Sequence, residues 1–263
     1  MRSLYFLLFM VALPAMLGAQ DLDRYEKKLY ILKGDTLRYR VLYPKDYVKS
    51  RSYPVITFLH GSGERGSDNQ AQLTHGGKLF LDEALRDEFQ AIVIFPQCPK
   101  DSSWRYIKTR RDSTSATGRA VDFTMTPDAP TPTRLVKSLL DSLIKSKVAD
   151  KKRMYIGGLS LGGFGTFNMI ERYPNYFVAA FPICGGGDLQ AAGRFAKHTA
   201  VWIFHGDKDQ SVDVKYSRDY YTALKKAGAD VRYTEYPGVG HNSWDKAYAS
   251  RDLFEWLLQQ HRP

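Results

Sequence analysis

The chain has only two cysteines, Cys98 and Cys184, among its 263 residues. Neither belongs to a CxxC pair or lies near a histidine at zinc-ligand spacing, so the sequence offers no metal site. A domain of this size can be stabilised by apolar burial without covalent cross-links. We therefore expect two buried free thiols, with a single disulfide as the alternative in an exported protein.

Long apolar segments are absent from the interior of the chain, where no stretch approaches the roughly 20 residues that a membrane span needs. The N-terminus differs, because Arg2 precedes an apolar run at 4–17 that closes on Gly18 and Ala19. This pattern is typical of a secretory signal peptide. We predict that residues 1–19 are removed and that the mature protein has no membrane span and is periplasmic or secreted. A retained anchor is the alternative.

Acidic side chains are fewer than basic ones, 28 against 38, which gives a formal net charge of +10. Removal of residues 1–19 takes away one basic residue, Arg2, and no acidic one, and so leaves +9. Such a charge brings nucleic acid, an anionic membrane and an acidic substrate into consideration. An apolar content of 43% excludes a disordered chain.

Short apolar segments recur along the chain and predict a buried sheet. Five of them are bounded by Gly, Pro or Asp and lie at 55–59, 91–95, 154–156, 178–183 and 201–204. Runs of this kind are typical of parallel strands buried on both faces. Segments 28–33 and 37–43 alternate apolar and polar residues around Gly34, which predicts a hairpin. A final strand is expected at 231–236.

Segments with the period of an amphipathic helix separate these strands. They lie at 77–88, 133–148, 161–172, 213–227 and 243–260. This alternation predicts one α/β domain at 20–263 with a doubly wound, mostly parallel sheet, and no change of composition marks a second domain. Residues 99–132 are polar and rich in Thr, Ser, Arg and Pro, which predicts a long loop that forms part of a site or is mobile.

A Gly-x-Ser-x-Gly motif occupies residues 158–162, between the predicted strand MYIG and a predicted helix. In that setting the motif predicts a nucleophile elbow, a tight turn that needs small neighbours and lifts the Ser160 hydroxyl clear of the sheet. The N-terminal amides of the helix favour negative charge that develops there. We predict that Ser160 is a nucleophile; the alternative is a turn that merely needs small residues.

A nucleophilic serine needs a base, and the base needs an acid that fixes its tautomer. His241 lies in the Gly-lined loop GVGHN after the last predicted strand and is the expected base. Three acids follow the strand at 201–204. Asp213 is expected to cap the next helix and Asp207 to shape the turn, which leaves Asp209 as the predicted partner of His241.

The tetrahedral intermediate of acyl transfer needs amide donors where its oxyanion forms. Leu161, directly after the nucleophile, supplies one. The second is expected from the segment HGSG at 60–63, whose glycines allow the backbone to turn its amides inward. Ser62 is the first choice, with Gly61 and Gly63 as alternatives.

Together these residues resemble the α/β-hydrolase superfamily. The motifs HGSGERG, FPQCP, GLSLGGFGT, HGDKD and GHNSW occur in this order, and the similarity extends from residue 55 to about residue 257. They look most like compact secreted esterases related to polyhydroxybutyrate depolymerases and to feruloyl or acetyl-xylan esterases, a group also labelled predicted peptidases. The resemblance implies an eight-stranded sheet, a triad of Ser160, Asp209 and His241, an oxyanion hole at Leu161 and Ser62, and no cofactor.

The chain departs from larger relatives of this kind, because it has no recognisable carbohydrate-binding module, Ig-like module or separate lid domain. Any lid must therefore come from residues 99–132. Trp104, beside Tyr106, is a candidate for lining an acyl or aryl pocket, and Gly63 is a second candidate for contact with substrate. The alternative for Trp104 is an anchor that packs the loop on the body. Trp244 is expected to dock the last helix under the His241 loop.

These expectations favour a serine carboxylesterase that releases small acyl or aryl-acyl groups through an acyl-enzyme, with plant polysaccharide fragments as the hypothesised source of the esters. Its partner would be a small-molecule or glycan-linked ester, not nucleic acid. A peptidase that uses the same triad on amides is one alternative. A non-catalytic binding protein on a hydrolase scaffold is the other.

The positive charge is concentrated between residues 100 and 153, which hold 13 basic and 6 acidic side chains. The cluster from Lys145 to Arg153 is expected at the end of the sheet opposite Ser160, where cations suit a helix C-terminus. Residues 100–123 hold six basic and three acidic side chains and follow the C-terminal end of a strand. Arg110 and Arg111 there suggest an anionic or uronate-bearing substrate as a hypothesis.

Overall fold

The computed structural model describes residues 22–263. The predicted signal peptide at 1–19 lies outside the described residues. Among residues 22–263, no helix combines the length and apolar character that a bilayer crossing demands.

One eight-stranded sheet organises the domain. Its strands are β1 Glu26–Leu32, β2 Asp35–Leu42, β3 Tyr53–Leu59, β4 Ile92–Gln97, β7 Ala149–Leu159, β8 Ala179–Ile183, β9 Ala200–Gly206 and β10 Val231–Tyr236. A separate two-stranded sheet pairs β5 Lys108–Arg111 with β6 Arg119–Asp122. The order in the large sheet is β1-β2-β4-β3-β7-β8-β9-β10, and every pair from β4 to β10 is parallel. This confirms the predicted doubly wound α/β fold.

The burial of each strand follows its position in the sheet. Strands β3, β4 and β8 are buried at every residue, as expected of parallel strands covered on both faces. The first two strands form the predicted antiparallel hairpin, and β1 is largely exposed at the edge. In β7 the first half is partly exposed and the half that leads to Ser160 is buried.

Helices cover both faces of the sheet. They are α1 Glu83–Glu88, α2 Thr131–Lys145, α3 Leu161–Arg172, α4 Ala192–Phe195, α5 Lys215–Lys226, α6 Trp244–Ala249 and α7 Arg251–Gln259. Residues of α2 to α5 join one hydrophobic cluster with one face of the sheet. Residues of α6 and α7, together with Phe80 and Leu81, join a second cluster on the other face. The core is therefore two apolar layers separated by the sheet.

Three segments differ from their predicted structure. The helix expected at 243–260 is interrupted at Ser250, whose backbone is extended between α6 and α7. The segment at 77–88 contains a 3-10 turn at Leu79–Leu81 before the short helix α1. The loop expected at 99–132 contains the β5–β6 hairpin. Its exposed, polar sequence lacks the alternation of apolar and polar residues that predicts a strand.

Candidate active site

Ser160 occupies a strained turn between β7 and α3. Its φ is +54°, a left-handed conformation that is uncommon for any residue other than glycine. A side chain at Gly158 would place its Cβ 2.6 Å from the Leu59 carbonyl oxygen, and one at Gly162 would overlap that oxygen outright. The small residues on both sides therefore allow the turn to pack against β3. This is the geometry of a nucleophile elbow.

The side chains of Ser160, His241 and Asp209 form one hydrogen-bonded chain. His241 Nε2 lies 3.0 Å from Ser160 Oγ, and His241 Nδ1 lies 2.7 Å from Asp209 Oδ2. Because Nδ1 faces a carboxylate it carries the proton, which leaves Nε2 free to accept the proton of the serine hydroxyl. The His241 side chain is 26% exposed, so a substrate can reach the chain from solvent.

Asp209 is buried and held from several directions. Its Oδ1 accepts hydrogen bonds from the amides of Ser211 and Val212, and its Oδ2 lies 3.2 Å from His205 Nε2 in addition to its contact with His241. Burial alone would raise the pKa of Asp209. Hydrogen bonds from both histidines and from the Val212 amide outweigh that effect and hold the pKa well below its usual range. The carboxylate is therefore ionised at any pH at which His241 could act as a base.

The other two acids after β9 have different contacts. Asp207 accepts a hydrogen bond from the Gly238 amide at 2.6 Å, which ties the turn after β9 to the turn after β10. Asp213 accepts from the Lys215 amide at the start of α5 and from Ser115 Oγ in the hairpin. Neither contact involves His241, so geometry associates Asp209 alone with the imidazole.

The proposed oxyanion segment is oriented by a buried histidine. His60 Nδ1 donates to the Gly61 carbonyl at 2.6 Å, and His60 Nε2 accepts from the Cys98 amide at 3.0 Å. Burial lowers the pKa of His60 to about 4, so the ring is neutral in this tautomer. Because the N–H and C=O of a trans peptide point in opposite directions, the Ser62 amide is directed away from His60.

Ser62 and Gly63 are both exposed in the 3-10 turn Ser62–Glu64. No heavy atom lies within 4 Å of the position that a Cβ would take at Gly63, so the space beside it is open. Leu161 follows the nucleophile as the first residue of α3. The donor roles of Leu161 and Ser62, and contact of Gly63 with substrate, stay predictions.

Trp104 does not line a pocket, which corrects its prediction as a substrate-binding residue. Its side chain is fully buried, and its indole N–H donates to the His60 carbonyl at 3.1 Å. Its own carbonyl accepts from Thr133 and from Asn168. These contacts anchor the loop to α2, α3 and the oxyanion segment, as the alternative interpretation stated. Tyr106, in contrast, is 49% exposed.

Trp244 contacts the predicted base directly. It begins α6, and its ring lies edge-on to the His241 ring with centroids 5.3 Å apart. The Trp244 ring also lies beside the His75 ring, with centroids 5.2 Å apart. Trp244 thus joins the helix after the His241 loop to the imidazole, and contributes packing that fixes its orientation.

A small apolar cluster beside Ser160 was not foreseen. Phe123, Phe164 and Val212 form its buried part. Around them pack partly exposed side chains: Ile107, Val121, Leu161 and Tyr216. The cluster links the residue after the nucleophile to the Asp209 loop and to the β5–β6 hairpin. We call it the elbow cluster. No sequence signal predicts this cluster, because its members are far apart in the chain. The motif HGDKD places His205 four residues before Asp209, but this spacing alone does not bring the two side chains together.

Cys184 lies next to the triad in space. Its Sγ, an Asp209 oxygen and a His241 nitrogen all lie within 4.8 Å of one another, a donor set that spacing along the chain does not reveal. Burial raises the pKa of the Cys184 thiol, which favours the protonated form over the thiolate that metals bind. Asp209 and His241 are also hydrogen-bonded to each other. Both Cys98 and Cys184 are buried free thiols, as expected.

The parallel sheet, the strained turn at Ser160 and the serine–histidine–aspartate chain place this protein in the α/β-hydrolase fold class. Within that class, the chain belongs to the esterase family described as "Putative esterase", whose model matches residues 33–247. This confirms the resemblance to α/β-hydrolase esterases.

Individual relatives cover different parts of the chain. It is 25% identical over 200 residues to the bifunctional acetylxylan esterase/xylanase XynS20E of Neocallimastix patriciarum, a match to 73% of this chain and 26% of that protein. It is 26% identical over 214 residues to acyl-protein thioesterase 1 of Neurospora crassa, covering 74% and 82% of the two chains.

A solved structure, the crystal structure of a thermostable esterase, aligns with a TM-score of 0.79 and 34% identity. The alignment covers 92% of this chain and 64% of that one. The chain thus spans about a quarter of the first relative and under two thirds of this crystallised esterase.

Proposed function

We propose that this protein is a serine carboxylesterase that hydrolyses small acyl or aryl-acyl esters. The observation that carries the proposal is the hydrogen-bonded chain from Ser160 through His241 to buried Asp209. Family membership supports ester bonds as the reacting group.

In this mechanism His241 Nε2 takes the proton of Ser160 as Oγ forms a bond to the ester carbonyl carbon. The negative charge on the carbonyl oxygen faces the amides of Leu161 and Ser62. When the C–O bond to the alcohol breaks, His241 returns its proton to the leaving alcohol. A water molecule, deprotonated by His241, then attacks the carbonyl carbon of the acyl-enzyme. As the bond from that carbon to Ser160 Oγ breaks, His241 returns the proton to Oγ, which releases the acid and regenerates the serine hydroxyl.

We further propose esters on plant polysaccharide fragments as substrates. The similarity to a protein named as an acetylxylan esterase supports this choice. The 26% exposure of His241 is consistent with a large alcohol that stays in solvent.

Export of the protein is a further proposal, based on Arg2 and the apolar run at 4–17. Cleavage after Ala19 predicts a mature protein that begins at Gln20. This prediction is tested by measuring the intact mass of the protein recovered outside the cytoplasm. A mass that still includes residues 1–19 would contradict cleavage.

The first test combines an active-site probe with a substrate panel. A fluorophosphonate probe should label the wild-type protein and not Ser160→Ala, because only an activated serine attacks phosphorus. Rates on p-nitrophenyl acetate, methyl ferulate and an aminoacyl anilide should rank both esters above the amide. Equal labelling of wild type and Ser160→Ala would contradict the assignment of Ser160 as the nucleophile. A higher rate on the anilide than on either ester would favour a peptidase. The absence of labelling and turnover would favour a binding protein.

A further inference from the structure

Two arginines stand directly opposite each other on the β5–β6 hairpin. Arg111 and Arg119 are cross-strand partners, and both residues are exposed. Like charges in this position destabilise a strand pair. Within residues 22–263, neither side chain has an ion pair or a hydrogen bond to an acid, whereas neighbouring Arg110 lies 3.8 Å from Asp112. The hairpin thus keeps a cation pair that no acid of the described chain neutralises.

The face of the hairpin that carries this pair is set by the strand register. Side chains alternate between faces along a strand, so Arg111 and Arg119 share a face with the pair Thr109 and Val121. Val121 belongs to the elbow cluster, as does Leu161. The pairs Lys108–Asp122 and Arg110–Ala120 belong to the opposite face. Arg110, which the sequence groups with Arg111, therefore projects away from the elbow cluster.

The hairpin is fixed above the edge of the sheet that carries the triad. The Val121 amide donates to the Tyr216 hydroxyl at 2.7 Å, and Ser115 Oγ donates to Asp213 at 2.8 Å. Phe123 packs against Gly186, which follows β8. A Cβ added at Gly186 would lie 2.6 Å from the Phe123 ring. These contacts lie beyond the C-terminal ends of β8 and β9, the same edge as Ser160 and Asp209.

We propose that Arg111 and Arg119 bind a carboxylate of the substrate, so that the preferred esters are acidic. This inference rests on the proposed esterase function. Guanidinium groups bind carboxylates in bidentate geometry, and two of them offer more donors than one carboxylate can use. Arg111 and Arg119 continue the face of the hairpin whose Val121 joins the elbow cluster, so a substrate group that lies on this cluster would present its carboxylate to the two guanidinium groups.

The test compares acidic and neutral esters in matched pairs. One pair, 4-nitrophenyl hydrogen glutarate and 4-nitrophenyl pentanoate, places the acid on the acyl side. The other, 4-carboxyphenyl acetate and phenyl acetate, places it on the alcohol side. The wild-type protein is compared with Arg111→Gln/Arg119→Gln, with Arg111→Lys/Arg119→Lys, and with the control Lys108→Gln/Arg110→Gln, which removes two charges from the opposite face.

The glutamine double variant should lose about tenfold in kcat/KM on the acidic ester of at least one pair and stay within about twofold on both neutral esters, as expected for two partly exposed ion pairs. The lysine variant should retain more of the acidic activity than the glutamine variant, and the control should resemble wild type. An equal loss on neutral esters, an equal loss in the control, or no loss would overturn the inference. If the wild-type protein hydrolysed none of the four esters, the proposed function itself would fail.

Discussion

Asp209 accepts hydrogen bonds from two histidines and two backbone amides, and this set of donors explains how a buried carboxylate stays ionised. The amides of Ser211 and Val212 occupy Oδ1, and both imidazoles face Oδ2. His205 Nε2 also lies 3.0 Å from the Val212 carbonyl, so this nitrogen carries the proton and donates. The carboxylate therefore remains a strong acceptor for His241 Nδ1.

Replacement of Asp209 by asparagine should lower kcat by about a thousandfold or more, because the amide NH₂ cannot accept the Nδ1 proton and favours the wrong imidazole tautomer. Asp207→Asn is the matched control, since that carboxylate contacts the Gly238 amide and not His241. It should keep kcat within about tenfold of wild type. Steady-state rates on p-nitrophenyl acetate decide, and a larger loss in Asp207→Asn would exchange the two roles.

The predictable part of the site is the part set by position along the chain. Ser160, Asp209 and His241 each follow a strand of one parallel sheet, so their meeting at one edge follows from the topology. The contact of His205 with Asp209 was not predictable, since it depends on how the loop after β9 folds back. The burial of Trp104 depends on the close approach of α3, which only the three-dimensional packing provides.

The segment between β4 and α2 is an anchored element. Arg105 and Glu171 form a fully buried ion pair at 2.6 Å, and Arg105 also donates to the Phe123 carbonyl. Glu171 accepts further bonds from the Tyr220 hydroxyl and the Asp188 amide. Burial raises the pKa of Glu171, and the Arg105 guanidinium offsets part of that rise. The pair fixes both ends of the hairpin segment to α3.

Breaking this ion pair should cost far more than replacing it. Arg105→Met leaves the buried Glu171 carboxylate without its cation, and Glu171→Gln leaves the buried Arg105 guanidinium without its anion. Each substitution should therefore lower the free energy of unfolding by about 3–5 kcal/mol. The double variant should lose much less than the sum of the two. Urea unfolding of all three measures the coupling energy, and additive losses would contradict the argument.

A surface ion pair supplies the control for that cycle. Arg251 and Glu88 are 66% and 52% exposed, and Arg251→Met should change the free energy of unfolding by about 1 kcal/mol or less. A loss as large as that of Arg105→Met would show that the truncated side chain, and not the buried charge, sets the cost.

Elements with a regular alternation or helical period of apolar residues were predictable, and the β5–β6 hairpin, which has neither, was not. The helix expected at 161–172 coincides with α3, since its buried residues and the preceding elbow define both its start and its course. Strand β5 is exposed at all four residues, so its sequence KTRR carries no alternation of apolar and polar side chains. The interruption at Ser250 lacks a proline or glycine that would mark it.

At the scale of the whole molecule, the excess of basic side chains makes stability depend on the carboxylates that remain ionised. The pKa of Glu235 falls from its usual 4.5 to about 2, chiefly because Arg218 hydrogen-bonds to it, and Asp209 shifts in the same direction. A carboxyl group whose pKa is lowered by folding binds protons more weakly in the folded state, so acidification favours the unfolded chain. Buried Glu171 acts in the opposite direction, because its pKa is raised.

The free energy of unfolding should therefore begin to fall below about pH 6.5, because the unfolded chain protonates the His60 imidazole, whose pKa of about 4 keeps it neutral in the folded state. It should fall more steeply below about pH 4.5, where the unfolded chain also protonates carboxyl groups such as Glu235 that are still ionised in the folded protein. Protonation also leaves 38 basic side chains with fewer opposing charges, and their repulsion adds to the loss. Urea unfolding at pH 7 and pH 3.5 measures the difference. Glu235→Gln should reduce this difference in the free energy of unfolding between the two pH values. Glu255→Gln should leave the difference unchanged, because Glu255 is exposed and has no ion pair among residues 22–263. Equal narrowing by both substitutions would attribute the acid sensitivity to net charge alone.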